Sequence, residues 1–250
     1  MKIEKILITG SKGFVGKNLK ELLSTKRGLS ILEYNRDHKE EELFDKLKDA
    51  DCLVHLAGVN RPLDQKEFDE VNFDLTNTII SILEEQKKDI PIIFSSSTQV
   101  LDNNPYGKSK LKAEEALITR QANQENKVYL LRLPGIFGQG CKPNYNSVVA
   151  TFCNNIQRDI PIEIHDPKTV LQLLYIQDLI KHIDNIIKEL PERSNPISLG
   201  PVHKISLENL VQTLKQFKKG DLSSLPKDLG TSLKKALHET YQSYEKKINQ

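Results

Sequence analysis

Ile6-Leu7-Ile8-Thr9-Gly10-Ser11-Lys12-Gly13-Phe14-Val15-Gly16 is the stretch whose reading decides the fold. A short apolar run of this kind reads as a buried strand. It enters a glycine-spaced turn, and a helix with Leu19, Leu22 and Leu23 on one face follows. Strand, glycine turn and helix in that order are the context of a dinucleotide site. Glycines let the backbone approach a pyrophosphate, and the free N–H groups of the helix start hold its charge. The spacing is G-x-x-G-x-x-G rather than the commoner G-x-G-x-x-G. Gly10, Lys12, Gly13, Phe14, Val15 and Gly16 are the candidate contacts.

Outward from this turn, a second strand, Ile31–Tyr34, ends at Asn35-Arg36. An acid that bonds a ribose 2′-hydroxyl often stands here. Arg36, with Lys12 in the glycine turn, offers two cations and no carboxylate, which suits a 2′-phosphate and hence NADP; the alternative is that Arg36 is a surface charge. Glu40 to Lys48 reads as a helix with Leu43, Phe44 and Leu47 inward. Cys52–Ala57 reads as a strand, with His55 a strand residue, and ends in the loop Gly58-Val59-Asn60-Arg61-Pro62. Such loops at strand carboxyl ends are where α/β sheets bind ligands. A long helix over about Glu67–Lys87 and a strand over Pro91–Ser97 follow.

Further on, Val128–Leu133 reads as a strand leading into Pro134-Gly135-Ile136-Phe137-Gly138. Then come a polar loop, Cys141–Ser147, a helix over Val148–Arg158, an extended Thr169–Ile176 and a helix over Asp178–Leu190. Ile197–Leu199 is expected to be a short strand and Ser206 to cap a helix through Phe217. The last helix places Leu229, Leu233, Leu237, Tyr241 and Ile248 on one stripe. Alternation of strands and helices throughout predicts an α/β fold with a doubly wound parallel sheet.

Between these elements lies Tyr106-Gly107-Lys108-Ser109-Lys110, just after Pro105, a residue that helices accept in their first turn. Tyr106 and Lys110 fall on one helical face. A cation beside a phenol favours phenolate, so the pair is expected to lower the Tyr106 pKa and make it a proton donor near neutral pH.

Composition narrows the class. The 250 residues are 38% hydrophobic and 28% charged, with a net charge of +2, as for an ordinary soluble protein. The lysines are scattered, which gives no nucleic-acid footprint. Cys52, Cys141 and Cys153 lack metal-ligand spacing and read as reduced thiols of a cytoplasmic protein, so no metal is expected. Charges at Lys2, Glu4 and Lys5 stand where a signal peptide needs its apolar core, and no run is long enough to span a membrane.

The glycine turn, Ser97, Tyr106 and Lys110 together resemble the short-chain dehydrogenase/reductase superfamily. The element order and the Leu56-Ala57-Gly58 strand end resemble its extended, sugar-nucleotide branch, the NAD-dependent epimerase/dehydratase family. Within it, the Gly58–Pro62 loop, Asn104-Pro105-Tyr106-Gly107 and the Cys141–Ser147 loop resemble the reductase part of a two-domain capsular-polysaccharide enzyme type, in which a reductase precedes a metal-binding cupin epimerase. The likeness runs from the first strand to about Tyr244.

That resemblance implies a Rossmann lobe over 1–135 and a smaller substrate lobe over 136–250. It implies that Ser97 bonds the reacting carbonyl, with Ser96 a second candidate, that Tyr106 protonates it, and that Lys110 holds the nicotinamide ribose. Asn35, Arg36, Leu56, Ala57, Gly58, Pro134, Gly135 and Ile136 would join the glycine turn on the cofactor. Arg61, Gln99, Asn144, Tyr145, Asn146 and Ser147 would contact the substrate. The implied reaction is NADPH-dependent reduction of the C4 ketone of a UDP-linked 2-acetamido-2,6-dideoxy-4-keto-hexose, for capsule or cell-surface polysaccharide.

Three other readings compete. A 4,6-dehydratase of this family carries Asp-Glu where Thr98-Gln99 stand. A 4-epimerase recycles tightly held NAD, which fits Arg36 and Lys12 poorly. A non-catalytic NADP-binding sensor would not require Ser97, Tyr106 and Lys110. The resemblance also implies a homodimer through the helices at Glu67–Lys87 and Tyr106–Asn123, with Leu75, Ile79, Leu111 and Leu117 as apolar faces. The chain stops at Gln250 without a histidine cluster for a cupin metal, and His238 stands alone. The expectation is therefore that a separate epimerase chain inverts the sugar, or that the gene has been shortened.

Overall fold

A computed structural model describes residues 2–61, 64, 66–123, 127–192, 195–220 and 230–245. The chain divides into two units. One comprises residues 1–133 and 180–199, the other 134–179 and 200–250.

In chain order the first unit begins with β1 (Lys5–Thr9), α1 (Phe14–Ser24), β2 (Ser30–Tyr34), α2 (Glu40–Asp49) and β3 (Cys52–His55). α3 (Lys66–Asp69), a π-helical turn (Glu70–Asp74) and α4 (Leu75–Glu85) follow. Then come β4 (Ile92–Ser97), a 3₁₀ turn (Thr98–Leu101), α5 (Pro105–Asn123) and β5 (Val128–Leu133). The five strands form one sheet in the order β2-β1-β3-β4-β5, and every neighbouring pair is parallel. The order reverses at β1, so the carboxyl ends of β1 and β3 flank a topological switch point.

The apolar runs behave as parallel strands buried on both faces should: Ile6, Leu7, Ile8, Leu53, Val54, Ile92, Ile93 and Phe94 are fully covered. Leu7, Leu53, Ile92 and Phe94 meet Leu43 and Leu47 of α2, Ile79 and Leu83 of α4, and Ala113 and Leu117 of α5 in one cluster. Each such aliphatic side chain contributes about 1.5–3 kcal/mol on burial.

Several expectations change here. The helix expected over Glu67–Lys87 is interrupted by the π turn at Glu70–Asp74, where the buried side chain of Asn72 takes backbone partners outside the helix. The strand expected through Ala57 ends at His55. Ile79 and Leu117 are fully buried in the core and therefore offer no dimer face. Ile197–Leu199 forms no strand. Ile197 N donates to Leu130 O, and the Asn195 amide bonds Leu130 N and Val128 O, so a side chain covers the outer edge of β5.

The second unit holds β6 (Gly135–Phe137), α6 (Val148–Gln157) and β7 (Val170–Tyr175), at whose end α7 (Ile176–Glu189) starts. It continues with β8 (Val202–Ser206), α8 (Leu207–Lys219) and α9 (Thr231–Glu245). This smaller sheet is separate from the parallel one and is mixed. β6 and β7 are parallel, but β8, which the sequence reading missed, pairs antiparallel to β7. Ser206 caps α8 by accepting from Asn209 N. Leu233, Leu237 and Tyr241 line the buried face of α9, while Leu229 and Ile248 lie outside the described residues. Among the described residues no helix is long and apolar enough to cross a membrane.

Candidate active site

β1 delivers the glycine turn. Gly10 has a positive φ of 70°, and a Cβ there would lie 2.8 Å from Ala57 N; a Cβ on Gly16 would lie 2.5 Å from Gly10 O. Only glycine fits either place. Gly13 is the N-cap of α1 and brings no capping side chain, and the first turn contains no acid. The start of this helix, with Phe14 and Val15 in its first turn, therefore keeps unsatisfied N–H groups and an uncancelled positive dipole end. A pyrophosphate fits both features.

Asn35 locks the same turn from the end of β2. Its Oδ1 accepts from Lys12 N at 3.1 Å, and its Nδ2 donates to Ser11 Oγ at 2.9 Å. Ser11 Oγ donates to Glu33 Oε2 at 2.5 Å, and Lys20 bonds the other oxygen of Glu33, which holds that carboxyl below its usual range. The expectation of two cations without a carboxylate needs correcting. Lys12 Nζ pairs with Asp37 Oδ2 at 2.6 Å, while Arg36 is exposed beside it.

β4 and α5 assemble the reactive groups. Ser97 ends β4, and its Oγ accepts from Gln99 N at 3.2 Å, starting the 3₁₀ turn. That turn lies so close to α5 that a Cβ on Gly107 would sit 2.0 Å from Gln99 O. Asn104 Oδ1 accepts from Gly107 N at 2.8 Å and closes the helix start. The short connection thus returns Tyr106 to Ser97. Burial pushes the Tyr106 phenol above its usual pKa, and a hydrogen bond from Ser97 pulls the other way. Ser96 alternates to the opposite face of the strand; its buried hydroxyl has no hydrogen-bond partner.

Lys110 shares the helical face of Tyr106, yet its ammonium does not lower the phenol's pKa. It donates to Ser95 O at 2.9 Å and stands 4.8 Å from the centre of the Phe94 ring. Burial brings its pKa down to about 8 against the opposing pull of Glu114. The expected depression of Tyr106 by Lys110 is therefore overturned: desolvation dominates.

A hydrogen-bond network that sequence reasoning missed braces these groups. Asn72 Nδ2 donates to Val59 O and Ser109 Oγ, both at 3.0 Å, and its Oδ1 accepts from Val59 N at 2.9 Å. Ser109 Oγ donates in turn to Tyr106 O. His55 lies fully buried between Thr9 and Thr76, its pKa pushed down to about 3 by burial first and by Lys110 second. Thr76 donates to Asn72 O and Ala57 N donates to Thr9 Oγ1, so the neutral ring carries its proton on Nε2. This chain ties the Leu56–Val59 loop to the helix carrying Tyr106. A polar Asn72 four residues before Thr76, in an otherwise inward stripe, was the available signal.

Of the other candidates in this unit, Arg61 and Gln99 are exposed, and Gln99 Oε1 accepts from Asn104 Nδ2. The remaining candidates belong to the second unit. Gly135 and Ile136 lie in β6, preceded by Pro134. Asn144 has a φ of 55°, and its N–H donates to Thr151 Oγ1. Lys142 Nζ stands 5.7 Å from the ring centre of the exposed Tyr145. Asn146 is exposed, and Ser147 caps α6 by accepting from Ala150 N.

Comparison with known proteins identifies the lineage. Residues 6–199 match the model of the NAD dependent epimerase/dehydratase family. The UDP-2-acetamido-2,6-beta-L-arabino-hexul-4-ose reductase of Pseudomonas aeruginosa is 35% identical over 240 residues, covering 96% of this chain and 64% of the relative. The crystal structure of the capsular polysaccharide assembling protein CapF from Staphylococcus aureus superposes with a TM-score of 0.82 at 40% identity, covering 96% of this chain and 64% of that one. The chain thus spans just under two thirds of these relatives' length. A UDP-glucuronic acid 4-epimerase from Bacillus cereus in complex with NAD shares the fold, with a TM-score of 0.83 at 19% identity over 98% of this chain and 100% of that one.

Proposed function

We propose, from the premise that this chain belongs to the NAD dependent epimerase/dehydratase family, that it reduces the C4 ketone of a UDP-linked 2-acetamido-2,6-dideoxy-4-keto-hexose with NADPH. The observation that carries the reading is the close packing of the 3₁₀ turn after Ser97 on the start of α5, which brings the Tyr106 phenol to Ser97, with the buried ammonium of Lys110 one helical turn away. The name of the Pseudomonas aeruginosa relative supplies the substrate class.

The glycine turn fits the cofactor. Gly10, Gly13 and Gly16 leave room for a pyrophosphate, and the start of α1 offers it N–H donors. Asn35, Leu56, Ala57 and Gly58 line the switch point, and Pro134–Ile136 carry over by resemblance. Lys12 and Arg36 are the proposed partners of a 2′-phosphate, with Lys12 exchanging Asp37 for it. When bound, the cofactor supplies the hydride for C4.

Ser97 and Tyr106 act as donors preorganised for the oxygen on which charge develops. Tyr106 gives its proton to that oxygen, and Lys110 holds the ribose. A raised phenol pKa keeps Tyr106 protonated and ready to donate at neutral pH. Arg61, Gln99 and Asn144–Ser147 are the proposed sugar-nucleotide contacts. Thr98 and Gln99 bring no carboxylate, which disfavours the dehydratase. We further propose a homodimer in the cytoplasm.

Tyr106→Phe tests the reading. A general acid contributes about a hundred- to ten-thousand-fold. Turnover, followed as NADPH absorbance with the keto-sugar nucleotide, should fall by that factor while NADPH affinity stays near wild type. Near-normal turnover in the variant rejects the assignment.

A further inference from the structure

Glu114 is an acid in an unusual place. It stands four residues after Lys110 on α5 and is 3% exposed. A carboxylate is almost never buried to this degree without a partner. Its partner is Arg132 of β5: Nε lies 3.1 and 3.3 Å from the two carboxylate oxygens, and Nη2 lies 2.7 Å from Oε2. Arg132 stands opposite Ser96 in the ladder, one residue before the Ser97–Leu133 pair. The fork therefore fixes α5 against the strand pair that ends in Ser97.

Lys110 is the other neighbour. It is also 3% exposed, and no carboxylate bonds it directly. The groups facing it are few. From its own helix it is Glu114; from β4, the Phe94 ring and Ser95 O; from β3, the neutral His55; from the following loop, Gly58, where a Cβ would come within 2.9 Å of Nζ. Arg132 joins this set by its fork on Glu114. Among the described residues Glu114, one helical turn on, is the carboxylate whose favourable pull opposes the burial that lowers the Lys110 pKa.

We propose that Glu114, held by Arg132, is a positioning residue for the reduction: its buried carboxylate keeps Lys110 charged and in register with Tyr106 and Ser97. The part concerning turnover rests on the function proposed above; the part concerning the charge of Lys110 does not. A buried ammonium with one backbone acceptor and no counter-charge gives up its proton readily. The clamp would make Lys110 a cation through neutral pH.

Glu114→Gln keeps the shape and one acceptor for Arg132, whose half-exposed guanidinium can turn to water. The first measurement needs neither cofactor nor substrate. In protein labelled with ¹⁵Nζ-lysine, the Lys110 signal, identified by its loss in Lys110→Met, is titrated. Wild type should titrate near pH 8. Glu114→Gln should titrate about one pH unit lower or more, a tenfold change in proton affinity. Glu114→Asp, which keeps the charge, should lie between the two. The second measurement is the pH profile of kcat. Its alkaline limb should move down with the Lys110 titration, so that the ratio of wild-type to Glu114→Gln rates grows about tenfold between mildly acidic and mildly alkaline pH.

An unmoved Lys110 titration in folded Glu114→Gln overturns the proposal. So does a loss of rate that is equal at every pH, which would mean a structural clamp only. A shifted titration in a protein that reduces no keto sugar would keep the charge assignment and reject the proposed function. Should Glu114→Gln fail to fold, Glu114→Asp decides by the same titration, and an unshifted signal there together with full retention of the alkaline limb in Arg132→Lys counts against the proposal.

Discussion

At the scale of single residues, the turn after β2 carries the sharpest question, because it combines cations and acids within a few ångströms. Lys12–Asp37 is an exposed pair that solvent screens, and it adds little to folding. On the function proposed above, its position at the glycine turn serves ligand choice. Charge-assisted hydrogen bonds contribute roughly 1.5–3 kcal/mol each, or about tenfold or more in affinity. Replacing Lys12 and Arg36 together by alanine should weaken NADPH at least about tenfold, leave NADH within about twofold, and barely move the melting temperature. Fluorescence titration with both cofactors measures this, and equal losses for the two would show that the cations do not read a 2′-phosphate. Asp37 sharpens the expectation, since without Lys12 its carboxylate stands unopposed beside the phosphate. The cations could be read from the sequence. The engagement of Lys12 by Asp37 could not, because it depends on the curl of the chain after Asn35. The same limit applies to Tyr106: the spacing to Lys110 was right, but the phenol's pKa follows from burial and from where the ammonium comes to rest.

At the scale of elements, Gly107 decides how α5 meets β4. Glycine-to-alanine changes inside a helix ordinarily gain about 0.5–1 kcal/mol. Here the new methyl would lie 2.0 Å from the Gln99 carbonyl oxygen, which belongs to backbone and cannot swing away. Overpacking of this kind costs about 1–3 kcal/mol, so the clash outweighs the propensity. Gly107→Ala should lower the melting temperature by several degrees, at about 2–4 °C per kcal/mol for a chain of this size. It should also lower kcat far more than NADPH affinity, because Tyr106 moves with the helix start while the glycine turn stays in place. A variant as stable and as active as wild type would show that the close approach is not needed. The first sheet was legible because each of its strands is a dense apolar run closed by turn residues. The second was less so. β6 has three residues, and β8 reads Val202-His203-Lys204-Ile205-Ser206, too mixed to announce itself. The π turn at Glu70–Asp74 was invisible for a different reason. A single extra residue in a turn leaves composition unchanged and only shifts the apolar stripe, which the Asn72 amide then exploits.

At the scale of the molecule, the open issue is self-association. Two of the four side chains first considered for a dimer, Ile79 and Leu117, are spent on the sheet. Leu75 is partly buried and packs against the same core. What α5 still offers outward is Leu111, half-buried, and Ile118, 37% exposed and two helical turns further on. Residues seven apart fall on one helix face, so these two form a stripe. Phe73 borders the helix, with Lys112 5.7 Å from its ring centre. A stable interface needs roughly 800 Å² per partner, far more than two side chains, so the stripe would be the apolar centre of a larger contact across α4 and α5. Light scattering should then give twice 28.5 kDa for the wild type. Placing glutamate at both Leu111 and Ile118 would set four like charges against one another across a two-fold axis. It should return the mass to that of one chain without disturbing the core cluster, which contains neither residue. A wild type that runs as a single chain removes the dimer from the account. A double variant that stays dimeric and folded moves the interface to another face, and Tyr106 and Lys110 would then be set by their own unit alone.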